Sequence, residues 1–159
     1  MSGPGFLDRP GQPGMFGALL DEYARAAEDF CRTVEALPES GFQQARASPD
    51  PETVSLATVC GHVAVAAWNY ADYIRIARGL PRIPRPYERD AVPTPSAFRP
   101  LLVQALRHTE ATVADCPSDD DSLVALRFQV RWGPTYDPEM LLEHAIVHLL
   151  RHRRQIERW

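Results

Sequence analysis

The sequence contains no lysine; all 17 of its basic residues are arginine. That excludes catalysis through a lysine Schiff base, and the arginine-only usage reads as codon bias of a GC-rich genome. Cysteine is scarce: Cys31, Cys60 and Cys116 are an odd set of three with no C-x-x-C spacing. Free, buried thiols in a reducing cytoplasm are therefore expected. No apolar run approaches the roughly 18 residues of a membrane span. The start Met1-Ser2-Gly3-Pro4-Gly5 has neither the basic residues nor the apolar stretch of a secretory signal, so no membrane partner and a cytoplasmic location are expected. Positive charge is not in excess, since the net charge is -4 and the pI about 5.7. A general nucleic-acid binder would be basic, so none is expected. G-x-S-x-G, G-x-G-x-x-G and Walker patterns are also missing, which leaves a serine triad and a phosphate loop without support.

What is present suits one soluble domain. A chain of 159 residues has the length of a single domain and buries enough surface to fold without disulfide or metal staples. Fifteen prolines divide it. Residues 1–14, with three prolines and four glycines, read as a flexible tail. Proline-free stretches follow, where helices can form without the roughly 3 kcal/mol that an interior proline costs.

Phe16, Leu19, Leu20, Tyr23, Ala27, Phe30 and Val34 recur at helical spacing, so an amphipathic helix is expected from about Met15 to Leu37. Asp50-Pro51-Glu52 reads as the start of a second helix, running to about Arg78. A Pro-rich link over 79–95 leads to a third, from near Ser96 to Asp115, with Phe98, Leu101, Leu102, Ala105, Leu106 and Val113 on its apolar face. Ser118-Asp121 reads as a loop. Residues 126–132 alternate as a strand would, but with no obvious partner they read as an extended linker on the bundle. Asp137-Pro138-Glu139 caps a last helix reaching Trp159. The fold class expected is all-α, an antiparallel four-helix bundle over 15–159 with a long Pro-rich crossover between its second and third helices.

The histidines carry the chemistry. His144, His148 and His152 fall every four residues of the last helix, and four residues advance only about 40°. They share one stripe with Gln155, and an H-x-x-x-H pair can place two imidazoles on one metal ion. His62 lies mid-way along the second helix among Val59, Val63, Ala66 and Ala67. It is either a satisfied core histidine or a third ligand. Ser55, Thr58, Asn69 and Tyr73 on the same stripe suggest a lined cavity. His108, on the third helix, has no evident partner and reads as a surface residue.

Gly61-His62-Val63-Ala64, together with His144-Ala-Ile-Val-His148-Leu-Leu-Arg-His152-Arg-Arg-Gln155, resembles the DinB/YfiT-like superfamily. Trp132-Gly133, Asp137 and Glu143-His144 are also similar to its members. The resemblance covers about residues 15–159. It implies a four-helix bundle holding a divalent metal ion (zinc, nickel or iron) on His62, His148 and His152, with His144 beside the ion. The family name refers to induction by DNA damage, which concerns expression and implies no DNA binding. Many members have a histidine directly before the last ligand and a glycine two after it; here these are Arg151 and Arg154. Arg151 is a candidate for binding an anionic substrate group, or part of a solvated face with Arg154 and Arg158.

Three neutral imidazoles leave coordination positions open. Such a site can deliver hydroxide from bound water or present a thiol as thiolate. Relatives that use low-molecular-weight thiols favour a thiol-dependent transferase over a hydrolase. His144 is the candidate proton carrier, with Glu143 turned about 100° off the stripe and suited to an ion pair with a neighbouring helix. Asn69, Tyr73 and Tyr136 are candidate contacts for a small-molecule substrate and Trp132 a candidate cavity wall, with core packing the alternative for each aromatic. A homodimer follows from the resemblance alone. A non-catalytic bundle that holds a metal or small ligand is the alternative reading, and a bundle with packed histidines and no metal a third. Metal binding is expected to fail as the ligands protonate below about pH 6.

Overall fold

The computed structural model describes residues 5–114 and 121–159. The chain is mostly helical, with helices α1 (Gly14–Glu35), α2 (Leu56–Ala77), α3 (Phe98–Val113), a single turn α4 (Asp121–Val124) and α5 (Pro138–Glu157). Two short strands, β1 (Phe128–Gln129) and β2 (Thr135–Tyr136), precede α5. The apolar stripe of α1 is the one visible in the sequence: Phe16, Leu20, Tyr23, Ala27, Phe30 and Val34 are all buried. They meet α5 and α3, while α2 packs on α3 and α5. Each long helix thus contacts two others around a common core that includes Tyr23, Phe30, Phe98, Leu102, Leu141 and Leu149. Phe30 and Phe98 stand edge-to-face in it, 5.1 Å between centroids.

Among the described residues before α1, part of the segment expected to be a tail packs on the core. Phe6 and Leu7 are buried, and the Glu110 carboxylate accepts the amides of Asp8 (2.8 Å) and Arg9 (3.1 Å). Two adjacent apolar side chains outweigh the flexibility that the prolines and glycines around them suggest. At Gly17 the segment passes so close that an added Cβ would lie 1.9 Å from the Gln12 carbonyl oxygen.

The second helix starts later than Asp50 implies. Asp50 caps only a 3-10 turn, Pro51–Thr53, with its carboxylate accepting from Glu52 N at 2.9 Å. The α-helix then begins at Leu56 behind a capping box. Ser55 Oγ accepts from Thr58 N at 3.0 Å, and Thr58 Oγ1 accepts from Ser55 N at 2.9 Å. Ser55 and Thr58 therefore serve the helix end. Ser55→Ala is expected to cost about 1 kcal/mol, lowering the unfolding midpoint by about 2–4 °C in a domain of this size, measured by thermal denaturation.

The Pro-rich link lies against α2. Trp68 Nε1 donates to Ile83 O (3.2 Å) and Tyr87 Oη to Ala64 O (2.8 Å). Gly61 permits this, because a Cβ there would meet the Arg89 carbonyl oxygen at 2.1 Å. The third helix is preceded by a 3-10 turn, Pro95–Ala97, and carries Pro100 in its first turn, where a missing N–H costs nothing.

Two expectations are corrected. The stretch around 126–132 has a partner: β1 pairs antiparallel with β2, Phe128 opposite Tyr136 and Gln129 opposite Thr135. The turn between them uses Gly133 at φ 119°, which side chains disfavour. His108 is buried, not on the surface. Its ring stacks on Trp68 at 3.8 Å, and Nε2 lies 3.2 Å from Asp72 Oδ1. An aromatic face and a carboxylate from α2 satisfy it, and neither is its neighbour in sequence. Cys31 and Cys60 are buried free thiols; Cys116 and Ser118–Asp120 lie outside the described residues.

Candidate metal centre

On α2, positions 62, 66, 69, 70, 73 and 76 recur at helical spacing and line one cavity, with His144, His148 and Arg151 of α5 opposite. His152 lies one turn beyond His148. The packing of α2 on α5 brings His62, His148 and His152 together, so that one ring nitrogen of each lies within 4.8 Å of the others. His62 Nε2 and His148 Nε2 are 3.1 Å apart. The His148 and His152 rings are 4.4 Å apart, the His62 and His152 rings 5.0 Å.

The outer nitrogens fix the direction of two lone pairs. His62 Nδ1 lies 3.0 Å from Glu52 Oε2, and His152 Nδ1 lies 2.7 Å from Gln155 Oε1. A carboxylate and an amide oxygen only accept, so both Nδ1 atoms carry the proton and both Nε2 atoms carry a lone pair. His152 Nε2 is buried with no hydrogen-bond partner, a state that ordinarily costs about 1–3 kcal/mol. A cation among the three nitrogens would satisfy it. Metal–nitrogen bonds of about 2.0–2.1 Å place two nitrogens of one ion roughly 3.0–3.4 Å apart, which matches the 3.1 Å between His62 and His148.

Protonation agrees with this donor set. Burial pushes His148 down to about 2 and His152 down to about 4, and it also lowers His62 and His144. The rings are neutral at pH 7, the form that binds metals. Cys60 is buried elsewhere on α2 and desolvation raises its thiol, so it is no competing ligand.

His144 stands apart from the three. It stacks on Trp132 (4.5 Å, 21°), and its Nδ1 is 3.4 Å from Tyr136 Oη. Asn69, Tyr73, Trp132 and Arg151 line the cavity of about 530 Å³. Tyr136 borders a second pocket that also reaches His144, and Gln155 sits behind His152. Glu143 is exposed and makes no ion pair among the described residues.

Sequence reasoning missed several neighbours. Glu52, read as a helix-start acid, reaches His62 and is itself paired with Arg89. Such a carboxylate orients a ligating imidazole and raises its basicity. Tyr70 stands edge-on to both His144 and His148, at 5.4 and 5.5 Å, and burial raises its phenol to about 12. Its place eight residues after His62 signals the shared face. Arg131, Arg82 and Asp72 also line the cavity, and no spacing rule reaches the first of them.

The sequence model of the DinB family matches residues 11–159. The chain belongs to the DinB family. No curated protein and no solved structure matches it. This DinB family chain therefore combines nearly full-length membership with a three-histidine cluster in its helical core. No described helix is long and apolar enough to cross a membrane.

Proposed function

We propose that this DinB family protein is a metal-dependent S-transferase. His62, His148 and His152 hold a divalent ion at one end of the cavity, and a low-molecular-weight thiol and a small-molecule substrate meet beside it. The four long helices are read as the family's four-helix bundle, with the Pro-rich link as the crossover between α2 and α3. The observation that carries the reading is the unpartnered Nε2 of buried His152, in a cluster where one ring nitrogen of each of the three histidines lies within 4.8 Å of the others.

A divalent ion there would supply Lewis acidity, lowering the pKa of a thiol or water at its open positions. The chain's own residues do the rest. Glu52 and Gln155 hold His62 and His152 with Nδ1 protonated, so neither ring turns away. His144 faces the cavity as a neutral imidazole and takes the proton that a thiol or water releases. Tyr136 Oη, 3.4 Å from His144 Nδ1, holds the ring in that orientation, and the imidazolium returns its proton to the leaving group. Trp132 and Tyr70 pack around His144 and fix its ring. Asn69 and Tyr73 contact the substrate. Hydrolysis at the same open position uses the same residues with water in place of the thiol.

Replacement of the native ion by cobalt(II) tests the thiol reading. Adding a small thiol to the cobalt protein is expected to produce a sulfur-to-cobalt charge-transfer absorption in the near ultraviolet. A visible spectrum that responds to pH but not to thiol would favour hydrolysis, and one that responds to neither would favour a non-catalytic metal-binding bundle.

A further inference from the structure

The cavity wall carries more positive charge than three histidines and an ion require. Arg82, Arg131 and Arg151 all line it. Arg82 is neutralised: its guanidinium lies 3.3 Å from Asp72 Oδ2, and His108 holds Asp72 from the other oxygen. Asp72 is the only carboxylate among the lining residues. Arg131 and Arg151 have no counterpart. Neither guanidinium makes a hydrogen bond or ion pair among the described residues, whereas Arg89 beside the site is paired with Glu52.

Both are placed by the fold. Arg131 sits in the β1–β2 turn, which is closed by Gly133 N to Val130 O (3.0 Å) and Val130 N to Pro134 O (3.1 Å). Its own amide donates to Tyr73 Oη at 3.0 Å, tying the turn to α2. Arg151 is the residue before His152 on α5, and it lines the cavity together with His144 and His148 of the same helix. Both arginines are exposed, and two unpaired guanidiniums on one cavity wall make a receptor for carboxylate or phosphate oxygens, which they bind through paired, charge-assisted hydrogen bonds. Asn69, on the same wall, adds an amide donor. A cavity of about 530 Å³ has the size of a site for a small organic molecule.

We propose that Arg131 and Arg151 form an anion subsite in the three-histidine cavity, and that the substrate or its thiol cosubstrate bears a carboxylate or phosphate group seated there. The proposal rests on the metal-dependent reading only in calling that anion a reactant; the arginines bind it with or without the ion. The chain as a whole carries a net charge of -4, whereas the cavity lining sets Arg82, Arg131 and Arg151 against the single carboxylate of Asp72, a local positive field that draws anions in.

Calorimetric titration with sulfate (a tetrahedral dianion) and with succinate (a dicarboxylate) tests this on metal-loaded and chelator-treated protein. At least one of the two is expected to bind saturably, near one equivalent, in both forms. The double substitution Arg131→Gln, Arg151→Gln is expected to weaken that binding about tenfold or more, and Arg154→Gln, equally exposed but outside the cavity, to leave it unchanged. A preference for sulfate or for succinate assigns the group. Binding that is indifferent to the double substitution, or no saturable binding in either form, overturns the subsite. Metal uptake without arginine-dependent anion binding removes the subsite and leaves the metal reading. Arginine-dependent binding to a protein that takes up no metal does the reverse.

Discussion

Untagged protein is expected to hold close to one divalent ion per chain, and His152→Ala to hold none. The expectation follows from how His152 is built in. Its Nδ1 is committed to Gln155 and its Nε2 is buried without a partner, so the ring presents a lone pair to a cation that the chain itself does not provide. Loss of one of three imidazoles leaves two ligands and a water-filled gap, too few for tight binding where three protein ligands are the usual minimum. Imidazole alone does not choose among zinc, nickel and iron, so elemental analysis should cover all three, on protein that has never carried a polyhistidine tag. Gln155→Ala and Glu52→Ala are expected to be milder. Each removes the partner that fixes a ligand's tautomer, which typically costs 10- to 100-fold in metal affinity. Those variants should keep the ion on purification and lose it earlier to a competing chelator. His108→Gln gives the folding control, since His108 is buried against Trp68 and Asp72 and is not among the three converging nitrogens. Equal metal in wild type and His152→Ala, or none in wild type after divalent ions are offered and excess removed, would overturn the three-histidine centre.

Metal-free protein is expected to lose stability steeply between pH 6.5 and about 4.5. His148 is held down to about 2 and His152 to about 4, chiefly by burial, whereas in the unfolded chain both titrate near 6.5. Across this window the unfolded state binds protons that the folded state refuses, so stability falls as pH falls. Each such histidine contributes a slope of about 1.4 kcal/mol per pH unit. Two of them over two units amount to roughly 5 kcal/mol, comparable to the whole stability of many domains. Below the folded pKa of His152 its share of the slope ends, because both states are then protonated there. A bound ion occupies the same lone pairs and competes with the protons, so the metal-loaded protein should unfold at lower pH than the chelator-treated one. Thermal midpoints across pH 7 to 4.5, with and without metal, measure both effects. A flat profile in the metal-free protein would show that the rings are solvated and not held neutral by burial. Because burial lowers the ligands' pKa values, the loss of metal expected below about pH 6 should fall toward the acid side of that limit, which a metal-release titration against pH measures.

Much of this was legible along the chain because it depends on local spacing. The apolar stripes of α1 and α3, the Asp137 cap of α5 (accepting from Met140 N at 2.8 Å) and the shared face of His144, His148 and His152 all follow from 3.6 residues per turn. Where reading failed, two local signals conflicted or a partner was distant. Asp50-Pro51 and Ser55 both offer helix starts, and the chain uses each, for a 3-10 turn and for α2. Phe6 and Leu7 were outnumbered by prolines and glycines but had a core within reach. The partner of β1 lay just past the Gly133 turn, in a two-residue strand too short to show a pattern.

The sequence by itself determined a mostly helical chain, its family, and the set of histidines available to a metal, since periodicity and motif are properties of residue order. Only the tertiary structure decided which nitrogens converge. It set Glu52 on His62, left His152 Nε2 without a partner, buried His108 against Asp72, and turned Arg131 and Arg151 to one cavity wall. Those outcomes depend on how α2, α5 and the β1–β2 turn pack across gaps of tens of residues, and hydrogen bonds and charges act over a few ångströms of space, not along the chain.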